Sequence, residues 1–455
     1  MMLMLQTAAE RLEEARSGLD LTLAERSIGL LGIATMLGLA VLLSYDRRKI
    51  NWRLVATGLA LQAGFGLIVL KTSAGRAVFA SIGDGITGLL RFQEQGARFV
   101  FGNLVQSTVP VGTPGVGGAV DTSAGLIAQT GAFFAFNVLP TIIFFSALMS
   151  VLYYLGVMQL IVKALAWVMQ RTLGTSGAET LSASGNIFLG QTEAPLLIKP
   201  FVATMTRSEL LTVMVGGFAT VAGGVLAAYV GMLSGVFPGI AGHLLAASVM
   251  NAPAGLVLAK ILMPETQTPV TKSSLELKVE KTDQSVIEAA ASGAAQGLQL
   301  ALNVAAMLMA FIALVALVNF LLGWVGGLVG VSDLSLQMIL GTLLRPLAWV
   351  MGVPWQDTAY VGSLIGLKAT INEFVAYAQF AGDLGGSSQI APRSAIILTY
   401  ALLGFANFSS IAIQIGGIGG LAPERRGEIA RYGLKAMIAG NLAAFMSASL
   451  AGMLS

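Results

Sequence analysis

Glu193 and Glu373 each lie where small and amide residues interrupt an apolar helix of membrane type, one in each half of the chain. The first stretch runs Gly185, Asn186, Ile187, Phe188, Leu189, Gly190, Gln191, Thr192, Glu193, Ala194, Pro195, and the second runs Gly366, Leu367, Lys368, Ala369, Thr370, Ile371, Asn372, Glu373, Phe374. A carboxylate near the bilayer centre costs roughly 2.5 to 3.5 kcal/mol on insertion scales, so it persists where it lines a protein or water cavity. Paired interruptions at matching places of two halves point to the binding site of a secondary transporter.

Within the first stretch, Gly190 can take a backbone conformation that other residues avoid. Thr192 or Glu193 can cap the half-helix that follows, and Pro195 suits its first turn. The chain is therefore expected to break at 190–193. Such a break exposes backbone groups that protein, water or ligand must satisfy, and Gln191, Thr192 and Glu193 add an amide, a hydroxyl and a carboxylate. The set suits a neutral solute rich in donors and acceptors; the alternative is that these groups cap one another across a hairpin. In the second stretch Asn372 and Glu373 are joined by Asn407, Ser409 and Ser410 on the following span. A carboxylate with an amide and hydroxyls could take the vicinal hydroxyls of a sugar, or could pack helices together. Phe405 could stack on a flat ring or fill space.

The elements that must position these groups are membrane helices. Hydrophobic residues make up 55% of the chain and charged residues 11%, with mean hydropathy +0.80, whereas a soluble chain carries about 25% charged residues. Continuous apolar runs disfavour a β-barrel, so the fold class is an all-α integral membrane protein. The 55 glycines allow close helix approach. An amphipathic interfacial helix is expected over 1–25, with spans at 27–45 and 54–70 and a charged, surface-lying segment at 74–104. A Gly, Pro and Thr-rich loop at 107–118 precedes one apolar stretch from 132 to 169. A re-entrant hairpin at 176–203 leads to spans at 209–232 and 240–262. A polar connection follows, then a span at 289–320, a second hairpin at 357–381, and spans at 391–418 and 433–454. Basic clusters at Arg47, Arg48, Lys49 and at Arg425, Arg426, Arg431, Lys435 mark the cytoplasmic side. Counting crossings then puts both termini outside and inserts the hairpins from opposite faces. The N-terminal charges do not resemble a cleavable signal peptide, so the first apolar segment is expected to stay.

Gly217-Phe218-Ala219-Thr220 follows the first hairpin and Gly404-Phe405-Ala406-Asn407 the second. This is the mark of an inverted repeat. The implied division is an N-terminal scaffold at 1–125, a first repeat at 126–265, a cytoplasmic linker at 266–288 and a second repeat at 289–455.

Several classes are disfavoured. Without cysteine there are no disulfides or thiolate metal sites, and the net charge of +3 reflects basic loops, not nucleic-acid binding. No nucleophile has a neighbouring base and no metal-ligand cluster occurs, so an enzyme is not expected and no catalytic residue is assigned. A passive channel would also use polar breaks, and accumulation of solute against its gradient would exclude it. His243 is expected to be a packed or interfacial residue, and Lys368 to point to water or pair with a carboxylate.

Five ordered motifs resemble the concentrative nucleoside transporters: Gly185 to Pro200, Gly217 to Val225, Ala247 to Pro253 continuing to Pro264-Glu265-Thr266, Asn372 to Tyr377, and Gly404 to Ser410. The likeness covers most of the chain from 130 to 455. It implies about eight transmembrane helices with two opposed re-entrant hairpins and interfacial helices, assembled as a homotrimer in the bacterial inner (plasma) membrane. It further implies a symporter that imports nucleosides such as uridine or adenosine with sodium as the coupling ion; some bacterial members use protons instead. By similarity, Gln191, Thr192 and Glu193 contact the nucleobase, Val225 and Phe405 form apolar walls, and Glu373, Asn407 and Ser410 hold the ribose hydroxyls. Sodium would bind the Asn186 and Thr220 side chains and the Leu189 and Val221 carbonyls. Leu298 or Leu300 would add a further wall, the choice between them being open.

Overall fold

A computed structural model describes residues 22–106, 108–114, 120, 121, 125, 127–129, 134–272, 283–328, 330, 331, 334–386 and 390–455. The interfacial helix expected over 1–25 lies almost wholly outside these residues, as does the middle of the 266–288 linker.

Helix α1 (Leu23–Leu43) opens on a reciprocal capping box, in which the Thr22 hydroxyl accepts from Glu25 N and the Glu25 carboxylate accepts from Thr22 N. Helices α2 (Trp52–Lys71) and α3 (Ser73–Phe101) follow. In the Gly, Pro and Thr-rich segment, strand β1 (Thr108–Pro110) pairs antiparallel with β4 (Ile127–Gln129), and β2 (Thr113–Pro114) with β3 (Val120–Asp121).

The apolar stretch expected as one run from 132 to 169 is two helices, α4 (Leu139–Tyr154) and α5 (Val157–Leu173). They part at Gly156, whose φ of 84° puts it in the left-handed region, where a residue without Cβ is at no disadvantage. Beyond it the chain changes character, because α5 carries Gln159, Lys163, Gln170 and Arg171 and is amphipathic where α4 is uniformly apolar.

Hairpin 1 comprises α6 (Gly177–Gly185), a tip, a 3-10 turn (Ala194–Ile198) and α7 (Lys199–Val202). Next come α8 (Arg207–Ala219), α9 (Gly223–Leu233), α10 (Ile240–Leu262), the 43-residue α11 (Val286–Leu328) and α12 (Leu336–Val350). Hairpin 2 is α13 (Thr358–Thr370) and α14 (Glu373–Gly385), followed by α15 (Pro392–Leu402), α16 (Phe408–Leu421) and α17 (Arg426–Leu454).

Seven stretches among the described residues are long and apolar enough to cross a membrane. The pair α15 and α16, 11 and 14 residues long, is an eighth span interrupted at its middle. The expected fold class of about eight spans with two hairpins holds.

Each hairpin is fastened at its base to the start of the broken span that follows it. At hairpin 1 the Ser176 hydroxyl donates to the Glu209 carboxylate, and Lys260 of α10 pairs with Glu179 at 2.6 Å and donates to Ser208 Oγ at 2.9 Å. A buried ion pair holds only when its remaining hydrogen bonds are also met; here Ser176 N donates to Glu179 Oε1 at 2.8 Å, and the ammonium also reaches Glu265 at 3.4 Å. At hairpin 2, Asp357 accepts from Ala391 N at 3.0 Å and from the Ser394 hydroxyl. Tyr360 ties its legs by donating to Asp383 at 2.8 Å.

Helix α11 meets α4 through Gly293 and Gly297, four residues apart. A Cβ on Gly293 would lie 2.7 Å from Ser146 O, and one on Gly297 2.7 Å from Ile143 Cα. Two glycines at this spacing let membrane helices come to backbone contact.

Candidate functional site

The two repeated tripeptides meet in space. Helix α8 stops at Ala219, and Thr220 is extended at φ −124°, ψ 176° before α9 resumes. Helix α15 stops at Leu402, and Gly404 turns the chain at φ 114°. A Cβ on Gly404 would lie 2.7 Å from Phe218 O and 2.9 Å from Ala219 O, so only glycine lets the breaks touch. Phe405 N donates to Thr220 O at 3.3 Å. Each break is also closed by an asparagine of the helix that ends its repeat. Asn251 Nδ2 donates to Ala219 O at 2.7 Å, and Asn441 Nδ2 donates to Ala406 O at 2.8 Å. The inverted repeat legible in the tripeptides is thus a repeat of hydrogen bonds.

Hairpin 2 breaks at Ile371 and restarts under Asn372, whose side chain accepts from Val375 N at 2.9 Å as an N-cap. Glu373 is therefore in the first helical turn, where the helix dipole favours negative charge. It is buried. Its Oε1 accepts from the Tyr229 hydroxyl at 3.1 Å and its Oε2 from Asn407 Nδ2 at 2.8 Å. A carboxylate has about four acceptor positions, so about two remain for a ligand. Lys368, expected to reach water or pair with a carboxylate, is fully buried. It instead donates to Ala401 O at 2.9 Å and Leu403 O at 3.2 Å, because carbonyls freed at the end of α15 need donors and favour a cation.

The tip of hairpin 1 joins the same network from the other side. Gln191 Nε2 donates to Ser410 Oγ at 3.1 Å, and Ser410 N donates to Asn407 Oδ1 at 2.9 Å. A chain of polar contacts therefore runs Gln191, Ser410, Asn407, Glu373, Tyr229. Beyond Gln191 it continues to Gln414, whose Nε2 donates to Gln191 Oε1 at 3.1 Å and to Met214 O at 3.0 Å. Thr192 packs on Gly417, where a Cβ would lie 2.6 Å from Thr192 Cγ2. Glu193 turns back on its own hairpin, its Oε2 accepting from Gly190 N at 2.6 Å, whereas it is Gln191 that joins the chain reaching Glu373. Gly190 is not among the described glycines with positive φ. Its reason is close approach, a Cβ there lying 3.1 Å from Glu193 Oε2 and 3.4 Å from Ala222 Cβ.

The four residues expected to hold an ion flank the first break. Asn186 caps the end of α6, is fully buried, and has no hydrogen-bond partner for either Oδ1 or Nδ2. A Cβ on Gly216 would lie 3.1 Å from Asn186 Nδ2, and Thr220 Oγ1 donates to Gly216 O at 2.9 Å, so both side chains converge there. Among the described residues, no backbone N–H donates to the carbonyl of Leu189 or of Val221. An unpaired buried amide, a hydroxyl that meets the same residue of α8, and two carbonyls without a backbone donor are oxygen groups of the kind that hold an alkali cation at unwound helices in transporters.

Val225 is buried at the start of α9 and Phe405 is half-buried against the core. Leu300 packs on the core, whereas Leu298 is 48% exposed. His243 packs against Phe237 and Tyr400, as expected. Tyr229, Asn251, Gln414 and Asn441 were not singled out from sequence. The one signal available was the presence of amides in otherwise apolar helices.

The chain is similar to known proteins over most of its length. Residues 243–452 match the family described as Na+ dependent nucleoside transporter C-terminus, 31–104 the corresponding N-terminus, and 135–235 a nucleoside recognition family. A transporter of Haemophilus influenzae is 45% identical over 427 residues, covering 93% of this chain and 96% of that one. Sodium/nucleoside cotransporter 1 of Rattus norvegicus is 43% identical over 444 residues, covering 94% of this chain and 64% of that one. The structure of CNTnw in an inward-facing substrate-bound state superposes with TM-score 0.84 at 46% identity, covering 94% of this chain and 97% of that one. An outward-facing variant of CNTnw superposes with TM-score 0.83 at 45% identity, covering 94% and 97%. With its spans and paired hairpins, the chain is a multi-pass plasma-membrane protein that belongs to the Na+ dependent, or concentrative, nucleoside transporter family.

Proposed function

We propose that this chain is a secondary active symporter that imports nucleosides with sodium by alternating access. The observation that carries the reading is the unbroken polar chain from Gln191 through Ser410 and Asn407 to Glu373, beside the unpaired amide of Asn186. In this reading Gln191, Thr192 and Glu193 face the nucleobase, Val225, Phe405 and Leu300 wall it, and Glu373, Asn407 and Ser410 take the ribose hydroxyls. Asn186, Thr220 and the Leu189 and Val221 carbonyls hold sodium. Sodium binds first and fixes the hairpin 1 tip, which preorganises Gln191 and Glu193; closure over the nucleoside then turns the site inward. Ligands drive that turn only through different affinities for the two orientations. Two solved states of CNTnw, inward-facing and outward-facing, support the same cycle here.

The test is uptake of radiolabelled uridine and adenosine into proteoliposomes, with sodium and proton gradients imposed separately. Accumulation above the outside concentration under a sodium gradient alone is expected. Accumulation under a proton gradient alone would replace the ion, and equilibration without accumulation would make the protein a channel.

We also propose that three copies assemble. Helix α11 spans about 65 Å at 1.5 Å per residue, twice the roughly 30 Å hydrocarbon core, and leaves Phe320 72% and Trp324 65% exposed. Native mass measurement from lipid nanodiscs should give three chains per particle. A transport-competent monomer would overturn the assembly without touching the transport reading.

A further inference from the structure

A backbone carbonyl on α8 decides which way an amide at the hairpin 1 tip points. Amide orientation follows from the hydrogen-bond network around it, and a carbonyl can only accept. Gln414 must therefore turn its Nε2 toward Met214 O, 3.0 Å away. The second N–H of that nitrogen faces the Gln191 side chain at 3.1 Å, so Gln191 must present Oε1 there. Its Nε2 is left on the far side, toward Ser410 Oγ at 3.1 Å. Turning Gln414 over would set carbonyl against carbonyl, and turning Gln191 over would set N–H against N–H.

The packing leaves little room for another arrangement. Ser410, Gln414 and Gly417 recur at i, i+4 and i+7 and so share one face of α16, which receives the hairpin tip. Both glutamines are buried. A Cβ on Gly217 would lie 2.8 Å from Gln191 Cβ and 2.9 Å from Gln414 Nε2, so α8 closes over the pair.

We propose that Gln414 is a positioning residue that fixes Gln191 as a hydrogen-bond donor to the solute, making this transporter favour nucleosides whose base carries a carbonyl over those carrying an amino group at the same ring position. This rests on the reading above in which Gln191 faces the base. A solute entering between Gln191 and Ser410 meets an N–H. The C4 carbonyl of uracil or the C6 carbonyl of hypoxanthine accepts from it, whereas the amino groups of cytosine and adenine oppose donor to donor.

Initial uptake rates in proteoliposomes under a sodium gradient compare uridine with cytidine and inosine with adenosine, pairs matched in size. The wild-type protein should show a KM about tenfold lower for the carbonyl member of each pair, the effect of one net hydrogen bond. In Gln414→Met, which keeps the chain length and removes the N–H groups, Gln191 is free to turn over. The ratio should fall toward one while Vmax for uridine is unchanged. A purely structural role would lower Vmax and protein yield without changing the ratio. Wild-type ratios near or below one, or the same ratio in Gln414→Met, would overturn the proposal. The wild-type ratios need no variant, so they decide the matter even if Gln414→Met fails to fold. No uptake of any of the four nucleosides would instead overturn the transport reading itself.

Discussion

Glu373→Gln should lower uridine uptake at least about a hundredfold. Hydrogen bonds to a charged acceptor contribute about 1.5–3 kcal/mol each, and every 1.4 kcal/mol is a factor of ten. The substitution keeps the shape but turns one oxygen into a donor. That donor must face either Asn407 Nδ2, 2.8 Å from the present Oε2, or the Tyr229 hydroxyl, 3.1 Å from the present Oε1. One existing bond is disturbed and the acceptor capacity toward the ribose falls. Uptake should be measured beside that of a 2′,3′-dideoxynucleoside, which lacks the hydroxyls that Glu373 is proposed to read. The loss on substitution should be far smaller for the dideoxy compound. Equal losses for both solutes would assign Glu373 to holding hairpin 2 against α9 and α16 instead.

Asn186→Leu should abolish sodium stimulation of uptake while making the sodium-free protein more stable. Both polar atoms of Asn186 are buried without a partner, and an unsatisfied buried polar group costs about 1–3 kcal/mol. Leucine branches at the same atom and carries no such cost, although Gly216 crowds it. Thermal unfolding in sodium and in choline chloride separates the two effects. The wild-type protein should gain stability from sodium through binding to the folded state, and the variant should not. A variant that still gains stability from sodium would move the ion elsewhere.

The breaks were the most legible part of this molecule. Around 190–195 and 366–374 the chain places glycine, proline and amides inside apolar helix, and no uninterrupted membrane helix needs them there. The tripeptides at 217–219 and 404–406 gave the inverted repeat because both breaks kept Gly-Phe-Ala, Gly404 where the breaks touch and Gly217 where the hairpin 1 tip packs. What could not be read depends on long-range geometry. Gln414 bonds Gln191 across 223 positions of sequence, and nothing local to either announces it. Lys368 was misjudged because a cation near a carboxylate suggests a pair, whereas the carbonyls it serves, at 401 and 403, become visible only once α15 is seen to stop. The α4–α5 split was hidden because Gln159 and Lys163, four apart, fall on one face of an otherwise apolar helix and leave the run apolar on average. The likeness to a known family supplied the ion ligands; composition and spacing alone stopped at a polar break.

The crossing of the two breaks sets a limit on slippage. Thr220, proposed to touch the ion through its hydroxyl, offers its carbonyl to Phe405 N, and Asn407 N donates in turn to Phe405 O at 2.9 Å. On the proposed assignments, ion and sugar would sit at either end of a linkage a few peptide units long. An ion that departed early would pull on the strand that aims Asn407, and a sugar leaving alone would pull on the strand that aims Thr220. Wasteful half-cycles, carrying cation without cargo or cargo without cation, would have to rupture this junction first. A symporter built in this proposed way would keep its ratio of ion to solute close to a whole number even when the membrane gradient is steep.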